Sequence, residues 1–232
     1  MNKITFYNAG TSQANDFAVA ELKRLGYTFC TADHINEATH ILMDTPSAQE
    51  LPSGTNRSAV VIGGNISFNG CLDLLQDPEY IAQNAMLTAH CAVKIAIREN
   101  NRILAEQKFL IIGWGRIGKC LAQLLKSMGC PVTVAVRKES DHALLGALGY
   151  ECCMITEIDA SRYDIIFNTA PALIIDNYNA AAIVYDLAST PGIVGNNVIG
   201  ARGLPKKEAP ASSGKLIAKT IHRLLNVKEN GI

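Results

Sequence analysis

The sequence has no excess of charge of either sign, and this absence excludes several classes of function. Its 232 residues include 21 lysines and arginines against 21 aspartates and glutamates, so the formal net charge is zero. A protein without net charge has no general electrostatic attraction for nucleic acid or for an anionic membrane surface. With 48% hydrophobic and 18% charged residues, the composition is that of an ordinary globular protein, and nothing in it indicates a polyanionic partner.

The chain also lacks the cysteine pattern of a disulfide framework or a zinc site. Its seven cysteines are an odd number, and no two of them form a C-x-x-C pair. Cys152 and Cys153 are adjacent, but neighbours on a strand point to opposite faces, so we expect reduced thiols. The histidines lack metal-ligand spacing, and the chain has neither a G-x-S-x-G elbow nor a Walker motif. We therefore predict no metal site.

The sequence contains no long apolar run, which bears on where the protein works. The first residues, MNKITFYNAG, have no apolar stretch of the kind that a signal peptide carries. No run elsewhere approaches the length of a bilayer span. We expect a cytoplasmic protein that does not cross a membrane.

What the sequence does contain is a glycine motif between an apolar run and a helical pattern. The run FLII at Phe109–Ile112 is typical of a strand buried on both faces. Gly113, Gly115 and Gly118 follow it in G-x-G-x-x-G spacing, and apolar residues then recur at helical spacing. This context predicts a dinucleotide site, in which Gly113 makes the turn, Gly115 admits a pyrophosphate and Gly118 lets the helix pack closely. The alternative is a glycine-rich turn that binds nothing.

Strands alternate with helical or loop segments along the chain, which predicts an α/β fold with parallel sheets. We expect a Rossmann-type doubly wound sheet and a second, smaller N-terminal domain whose first strand lies at residues 3–7. A long helix over residues 78–100 links the two, and a helix over residues 213–225 ends the chain. The predicted domains are residues 1–82, residues 83–205 with the linking helix and the dinucleotide site, and residues 206–232, which pack back near that helix.

The residues after the apolar strand Val132–Val136 bear on which dinucleotide binds. An acidic residue about 20 positions after the glycine motif accepts the ribose hydroxyls of NAD, whereas arginine suits the 2′-phosphate of NADP. Here the strand is followed by Arg137 and Lys138, with the Ser140 hydroxyl nearby. These groups favour NADP, although Glu139 among them leaves open that they form only a solvated strand end.

Polar residues also follow two later strands, at the carboxyl ends where ligands of open α/β sheets bind. We predict that they contribute to the cofactor site, with Ser189 as a catalytic candidate. The predicted cofactor residues are Asn168, Thr169, Ala170 and Pro171 after one strand, and Asp186, Leu187 and Ala188 after the next. Taken singly, each is as well explained by a satisfied turn.

Candidates for the chemistry itself are fewer, because in hydride transfer the protein supplies only an acid or base and orienting groups. His90 on the long helix is the first candidate acid or base, and the alternative is a histidine hydrogen-bonded to backbone. Ser212 and Ser213, with Gly214, stand at the start of the last predicted helix. Their backbone N–H groups would either bind a substrate carboxylate or belong to the helix cap.

Four motifs follow one another along the second half of the chain. They are GWGRIG at 113–118, NTAP at 168–171, DLASTPG at 186–192 and GLPKKEAPASSG at 203–214. The glycine motif alone is common to many dehydrogenases, but the ordered combination is specific. It resembles the A subunits of dipicolinate synthase, a family of NADP-dependent, dehydrogenase-like proteins of spore-forming bacteria. The resemblance covers residues 84–225 well and the first half loosely.

The resemblance implies an architecture similar to that of 2-hydroxyacid dehydrogenases, with a flavodoxin-like N-terminal domain, a connecting helix and an NADP-binding domain. It implies oxidation of a cyclic dihydrodipicolinate-type dicarboxylate to dipicolinate during sporulation, in partnership with a flavoprotein-like B subunit. We also expect a homo-oligomer, namely a dimer. The further site residues are Trp114, Arg116 and Ile117 for the cofactor, and Asn84, Thr88, Ser212 and Ser213 for the substrate.

The chain departs from the family pattern at positions that bear on catalysis. His90 and Cys91 stand where the family commonly has Glu-Gly, and Thr190 stands where it has arginine. Lys206 replaces a glycine. An arginine and an acidic residue are what a dicarboxylate dehydrogenase would use near its nicotinamide. Two functions therefore stay open: an NADP-dependent oxidoreductase of this type, and a non-catalytic NADP-binding sensor or scaffold with the same fold.

Overall fold

The computed structural model describes residues 4–47, 50–68 and 70–229. Lys3, which the first predicted strand includes, and residues 230–232 of the predicted C-terminal segment lie outside this part of the chain. The chain divides into two compact units: one runs to Asn84 and resumes at Pro205, and the other is Ala85–Leu204. The boundary near Asn84 falls within one long helix, α2 (Pro78–Arg98).

The first unit is built on a five-stranded parallel sheet. Its strands are β1 (Thr5–Asn8), β2 (Thr28–Phe29), β3 (His40–Leu42), β4 (Val60–Gly63) and β5 (Leu72–Asp73). They are arranged in the order β2-β1-β3-β4-β5, which is the strand order of flavodoxin-like sheets. Phe6, Ile41 and Ile62 are fully buried, because a parallel sheet packs apolar side chains on both faces.

Two helices pack against each other in the first unit, α1 (Gln13–Arg24) and α6 (Pro210–Glu229). They approach each other closely at Gly214, where a Cβ would lie 2.5 Å from the α1 backbone. Arg223 of α6 forms an ion pair with Asp77, just before α2, at 2.6 Å. The C-terminal segment is thereby fixed to α1 and to the residues that lead into α2.

The second unit contains a six-stranded parallel sheet with the strand order of a Rossmann fold. Its elements are β6 (Phe109–Ile112), α3 (Arg116–Ser127), β7 (Val132–Val136), α4 (Glu139–Ala147), β8 (Glu151–Met154), β9 (Ile165–Asn168), β10 (Ile175–Tyr178), β11 (Ile183–Asp186), β12 (Ile193–Gly195) and β13 (Val198–Gly200). The order across the sheet is β13-β11-β9-β6-β7-β8. It reverses between β6 and β9, which is where ligands of such sheets bind. The predicted α/β class and Rossmann-type sheet are confirmed.

Two of these elements, β10 and β12, go beyond the sequence predictions. They pair with each other in a separate two-stranded sheet. Asn177 and Gly195 have positive φ angles of 58° and 149°, and the register shifts within the pair. Short bent strands of this kind carry too little alternation to be recognised from sequence. A short helix, α5 (Leu204–Glu208), then precedes α6.

Candidate dinucleotide-binding site

The glycine loop joins β6 to α3 as the motif spacing predicts. Gly113 has a φ of 102°, a conformation that glycine adopts without strain. A Cβ at Gly118 would collide with the Gly113 carbonyl oxygen, so α3 packs on the loop only because this residue is glycine. At Gly115, by contrast, a Cβ would meet nothing within 4 Å. The loop is therefore tight at both ends and open in the middle.

The open glycine also begins the helix. Gly115 is the N-cap of α3, and among the described residues no side chain caps it by a hydrogen bond. Arg116, Ile117 and Gly118 form the first turn, whose N–H groups point along the axis at the positive end of the helix dipole. Space next to such donors is the arrangement that receives a pyrophosphate.

A cavity of about 430 Å³ opens beside this loop, at the carboxyl ends of β6, β7 and β9. Eight of the predicted cofactor residues line it: Gly113, Trp114, Gly115, Arg137, Lys138, Thr169, Ala170 and Pro171. Five residues that the sequence patterns do not indicate complete the wall: Val136, Asp141, Ile155, Ala172 and Ile174. The wall combines two cations and a carboxylate with an apolar part, which suits a phosphorylated ligand with an aromatic base.

Asn168 and Asp186 end the neighbouring strands β9 and β11, opposite each other in register. Both are buried, and Asn168 Nδ2 donates to Asp186 Oδ1 at 2.9 Å. Asp186 Oδ1 also accepts the N–H of Ala188, and Oδ2 accepts that of Gly192 at 2.7 Å. A buried carboxylate with several N–H donors holds its own loop in place. Neither side chain lines the cavity, so the prediction that they contact the cofactor does not fit their positions.

Thr169 connects this pair to the glycine loop. Its hydroxyl and its backbone N–H both donate to the Ile112 carbonyl oxygen, each at 2.9 Å. The next N–H, of Ala170, is accepted by Asn168 Oδ1 at 3.1 Å. In the NTAP motif, Asn168 therefore faces the interior and Thr169 holds the loop, while Ala170 and Pro171 form part of the cavity wall.

Three other predicted cofactor residues and the catalytic candidate Ser189 also lie outside the wall. Leu187 and Ala188 are buried. Ser189 is exposed just beyond them, and Ser140 is exposed in the first turn of α4. The roles assigned to these two serines stay predictions.

Trp114, the only tryptophan of the chain, lines the cavity. Its ring meets the Tyr150 ring edge-on at 5.6 Å between centroids, and Lys119 Nζ lies 5.7 Å from its centroid. Its Nε1 is buried and has no hydrogen-bond partner within the described part of the chain. Because this indole is unique and borders the cavity, its fluorescence offers a direct signal of ligand binding.

His90 does not belong to this cavity. It lies exposed in a separate groove of about 330 Å³. The groove is lined by His90, Val93, Lys94 and Ile97 of α2 and by Leu124 and Met128 of α3. Leu124 is nine residues beyond Gly115, which places it about 13 Å along α3 from the open end of that helix. An acid or base must lie within hydrogen-bond reach of the substrate. His90 does not line the cavity beside the glycine loop, and its catalytic role stays a prediction.

The predicted substrate residues are divided between the two units. Thr88 is a buried residue of the second unit, whereas Asn84, Ser212 and Ser213 belong to the first. Because α6 begins at Pro210, both serines lie inside the helix, and the alternative that they cap it is wrong. Ser213 is 5% exposed, and its N–H donates to the carbonyl oxygen one turn earlier. That N–H is therefore not available to a carboxylate.

A polar cluster that no sequence pattern indicates lies at the start of α1 in the first unit. Asp44, two residues after β3 and 7% exposed, accepts the N–H of Thr11 at 3.0 Å and that of Ser12 at 3.2 Å. It also accepts the Ser12 hydroxyl, and Ser12 caps α1 by accepting the N–H of Asn15 at 3.3 Å. Burial alone raises the pKa of Asp44, but the hydrogen bonds from Ser12 and Thr11, with the Lys206 charge, hold it below its ordinary value.

Neither a metal-binding cluster nor a helix suited to a lipid bilayer occurs in residues 4–47, 50–68 and 70–229. No group of three or more histidine, cysteine, aspartate or glutamate side chains in this part of the chain is placed to hold a metal ion. None of the helices there combines the length and the apolar character needed to cross a lipid bilayer.

Residues 80–175 match the family model of the NAD-binding domain of D-isomer specific 2-hydroxyacid dehydrogenases. The matched range contains the glycine loop and every residue of the cavity wall. No curated protein matches the chain by sequence. The match assigns the second unit to a pyridine-nucleotide-binding type of domain.

Several solved structures share the fold over nearly the whole chain. The A subunit of dipicolinate synthase from Bacillus halodurans is 20% identical with a TM-score of 0.77, and the match covers 96% of this chain and 97% of that one. The same component of dipicolinate synthase from Bacillus subtilis is 17% identical with a TM-score of 0.78, covering 100% and 99%. The transhydrogenase from Sinorhizobium meliloti is 17% identical with a TM-score of 0.71, covering 97% and 94%.

At these identities the similarity establishes the fold, and at that level the resemblance stated from the motifs is confirmed. Together with the matched domain, it supports a dehydrogenase-type oxidoreductase.

Proposed function

We propose that this protein is an NADP-dependent oxidoreductase that oxidises a cyclic dihydrodipicolinate-type dicarboxylate to dipicolinate in the cytoplasm. The observation that carries the proposal is the cavity beside Gly115, where a glycine loop, two cations and an apolar wall meet at the switch point of a Rossmann sheet. The substrate class rests on the order of the four sequence motifs and on the fold shared with the A subunits of dipicolinate synthase. The same proposal includes a homo-oligomer and a flavoprotein-like B subunit.

The residues present fit a dinucleotide. The open space at Gly115 adjoins the first turn of α3, so backbone N–H groups and the helix dipole would hold the pyrophosphate. Arg137 and Lys138 follow β7, where Rossmann folds place the adenosine ribose, and their charges would hold a 2′-phosphate. Ile155 and Ile174 give the apolar surface that an adenine ring requires. When bound, NADP⁺ supplies the redox chemistry by accepting a hydride.

The chain's own part is to orient the substrate and to let a proton leave. Aromatisation of a dihydro ring removes two hydrogens, one of which departs as a proton to a side chain or to solvent. Ser189, exposed after β11, stays the candidate for that contact. Asn84 and Thr88 stay candidates for holding a substrate carboxylate through their side chains.

A second candidate function is a non-catalytic NADP-binding sensor or scaffold. It is favoured by the residues that line the cavity, because no histidine is among them and Asp141 is their only carboxylate. Asp141 accompanies Arg137 and Lys138 at the end that would hold the adenosine, away from a reacting ring. Thr190, where the resembling family has arginine, points the same way.

Turnover distinguishes the two candidates. The protein would be given NADP⁺ and a panel of cyclic and open-chain dicarboxylates, with and without a flavoprotein partner, while the absorbance of reduced nicotinamide is followed. Reduction with a cyclic dihydro dicarboxylate supports the oxidoreductase, and NADPH binding without turnover supports the sensor or scaffold. Failure of every dinucleotide to change Trp114 fluorescence or to raise thermal stability at saturating concentration would sink both.

A further inference from the structure

Three charged side chains line the cavity, and they do not share one sign. Arg137 and Lys138 are the cations that favour a 2′-phosphate, while Asp141 adds a carboxylate to the same wall. A carboxylate facing a phosphate site weakens binding there, because like charges repel more strongly in a partly desolvated cavity than in water. The wall is therefore not the uniformly basic surface that the strand tip alone suggests.

Asp141 reaches this wall from the first turn of α4. Lys138 is the N-cap of that helix, and the Asp141 N–H donates to the Lys138 carbonyl oxygen at 3.1 Å. Asp141 is half-buried, whereas Glu139 in the same turn is exposed and does not line the cavity. Both acids suit the positive end of the helix dipole, so helix stability alone does not explain why one of them faces the cavity.

The three charged side chains form no ion pair with one another in the described part of the chain. Within the described part of the chain, none of the ion pairs involves Arg137, Lys138 or Asp141. Although the three residues share a wall, the carboxylate is not engaged by either cation. No ion pair within the described residues therefore has to be broken before these side chains can meet a ligand.

We infer that Asp141 is a specificity-determining residue that opposes the 2′-phosphate and narrows the preference for NADP over NAD created by Arg137 and Lys138. The inference rests on the proposed function, because it needs a dinucleotide in this cavity. A phosphate monoester carries a charge of about −1.5 to −2 at pH 7, which a carboxylate repels. The ribose hydroxyls of NAD are donors, which a carboxylate accepts. The Asp141 side chain thus weakens the binding of NADP and favours the binding of NAD.

The test is Asp141→Asn, which keeps the shape of the side chain and removes its charge. Dissociation constants for NADPH and NADH are measured by energy transfer from Trp114 to the reduced nicotinamide at fixed low ionic strength. We expect NADPH to bind about three- to tenfold more tightly than in the parent, and NADH to bind equally or more weakly. The matched control is Glu139→Gln, which removes a charge from the same helical turn and should change each constant by less than about twofold.

Two further measurements separate charge from packing. Raising the salt concentration should reduce the gain in NADPH affinity that Asp141→Asn brings, because ions screen exposed charges. A gain in affinity that does not depend on salt would count against the inference. Asp141→Ser, a smaller neutral side chain, should shift the NADPH-to-NADH ratio in the same direction. Thermal unfolding of each variant verifies that the binding measurements were made on folded protein.

The outcomes also separate this inference from the proposed function. Suppose the parent binds both dinucleotides. If the ratio of the NADPH and NADH dissociation constants is then unchanged in Asp141→Asn, or shifts equally in Glu139→Gln, the role of Asp141 is overturned and the cofactor site stands. If the parent binds neither dinucleotide, both the proposed function and the role of Asp141 are overturned.

Discussion

In each unit of the molecule a strand, a loop and a helix follow one another where the strand order of the sheet reverses. The two helices, α1 and α3, differ in what lies next to their first N–H groups. In the first unit the loop joins β1 to α1 beside β3, and in the second it joins β6 to α3 beside β9. Such a helix start offers N–H groups to an anion. The first unit provides the anion from its own chain, whereas the second has open space there.

In the first unit the anion is the Asp44 carboxylate. It accepts the N–H groups of Thr11 and Ser12 at the start of α1. Gly10 in the same loop has no spare room, because a Cβ there would collide with the Asn15 side chain and lie 3.1 Å from an Asp44 oxygen. A phosphate would have to displace a carboxylate that is already hydrogen-bonded, so this helix start is structural.

In the second unit the corresponding acidic residue does not follow β9, the strand beside the loop, but lies on the next strand, β11. After β9 the chain has Thr169, which bonds to the Ile112 carbonyl oxygen and not to α3. The carboxylate of this region is Asp186 on β11, and it is committed to Asn168 and Gly192. The comparison teaches that the position of one acidic residue decides whether such a helix start is closed or able to bind a ligand.

The largest expected effect comes from closing the open helix start with Gly115→Asp. The backbone there has φ −78° and ψ −170°, and a Cβ meets nothing within 4 Å, so the fold accepts the change. Aspartate is a favourable N-cap, and we expect the free energy of unfolding to hold or rise by about 0.3 kcal/mol. Dinucleotide affinity, measured by Trp114 fluorescence, should fall more than about 100-fold, because the new carboxylate takes the pyrophosphate position.

The control for that variant is Gly115→Ala, which fills part of the space without a charge. It should weaken binding less than the aspartate does. Parent-like NADPH affinity in Gly115→Asp would show that the pyrophosphate does not bind at α3, and the comparison between the two helix starts would lose its functional meaning.

The converse change, Asp44→Asn, opens the closed helix start. It sets an amide N–H group against the N–H groups of Thr11 and Ser12, so the free energy of unfolding should fall by about 2 to 3 kcal/mol. The affinity for NADPH should not change, because the cofactor cavity is lined by residues of the second unit. Urea denaturation measures the loss, and Asp33→Asn, an exposed acid of the same unit, should stay within about 0.5 kcal/mol of the parent.

The decrease in the free energy of unfolding caused by Asp44→Asn should also depend on pH. The folded-state pKa of Asp44 lies below its ordinary value, so its contribution is complete above the unfolded-state pKa of about 4. That contribution is lost as the pH falls through the folded-state pKa. The difference between parent and variant should therefore shrink below about pH 4. A difference that keeps its full size as the pH falls well below 4 would contradict the role of the charged carboxylate.

Features formed by chain neighbours were predictable from the sequence, and contacts across strands were not. The glycine loop follows from the spacing of residues 109–118, because its turn, cap and close packing all involve near neighbours. Asp44 and Ser12 are 32 residues apart and meet only because β1 pairs with β3. Asn168 and Asp186 meet because β9 pairs with β11 in one register. Spacing shows that these residues end strands, but not that they satisfy one another.

The orientation of each helix about its axis is the second feature that the sequence does not predict. The periodicity of α2 shows which residues share a face with His90, but not that the far half of α3 lines that groove. Asp141 and Glu139 lie in one turn of α4, and only the packing of that helix decides which one lines the cavity. The start of α6 was within reach of the sequence, because Pro210 is favoured at the first position of a helix.

In the cavity beside the open helix start, Arg137→Ala tests whether NADP is the cofactor. A guanidinium pairs with a phosphate in two parallel, charge-assisted hydrogen bonds. Its loss should weaken NADPH binding by about one to two powers of ten and leave NADH nearly unchanged. Arg162→Ala, an exposed arginine outside the cavity wall, is the control at the same salt concentration. Equal losses for both cofactors would show that Arg137 does not recognise the phosphate, and a parent that prefers NADH would overturn the assignment.

The smallest expected effect, from Lys206→Gln, tests the electrostatics of the closed helix start. The Lys206 charge is one of the causes that hold the Asp44 pKa below its ordinary value, so removing it should move that pKa up toward the unfolded-state value. At pH 7 the free energy of unfolding should fall by about 0.3 to 0.5 kcal/mol, the range of a weak, partly screened charge–charge interaction. The parent loses the same contribution once Asp44 is protonated, so parent and variant should converge below about pH 4. Lys207→Gln, its exposed neighbour in α5, should match the parent at both pH values. If Lys206→Gln behaved like Lys207→Gln at pH 7, the hydrogen bonds from Thr11 and Ser12 would account for the closed site without any help from the cation.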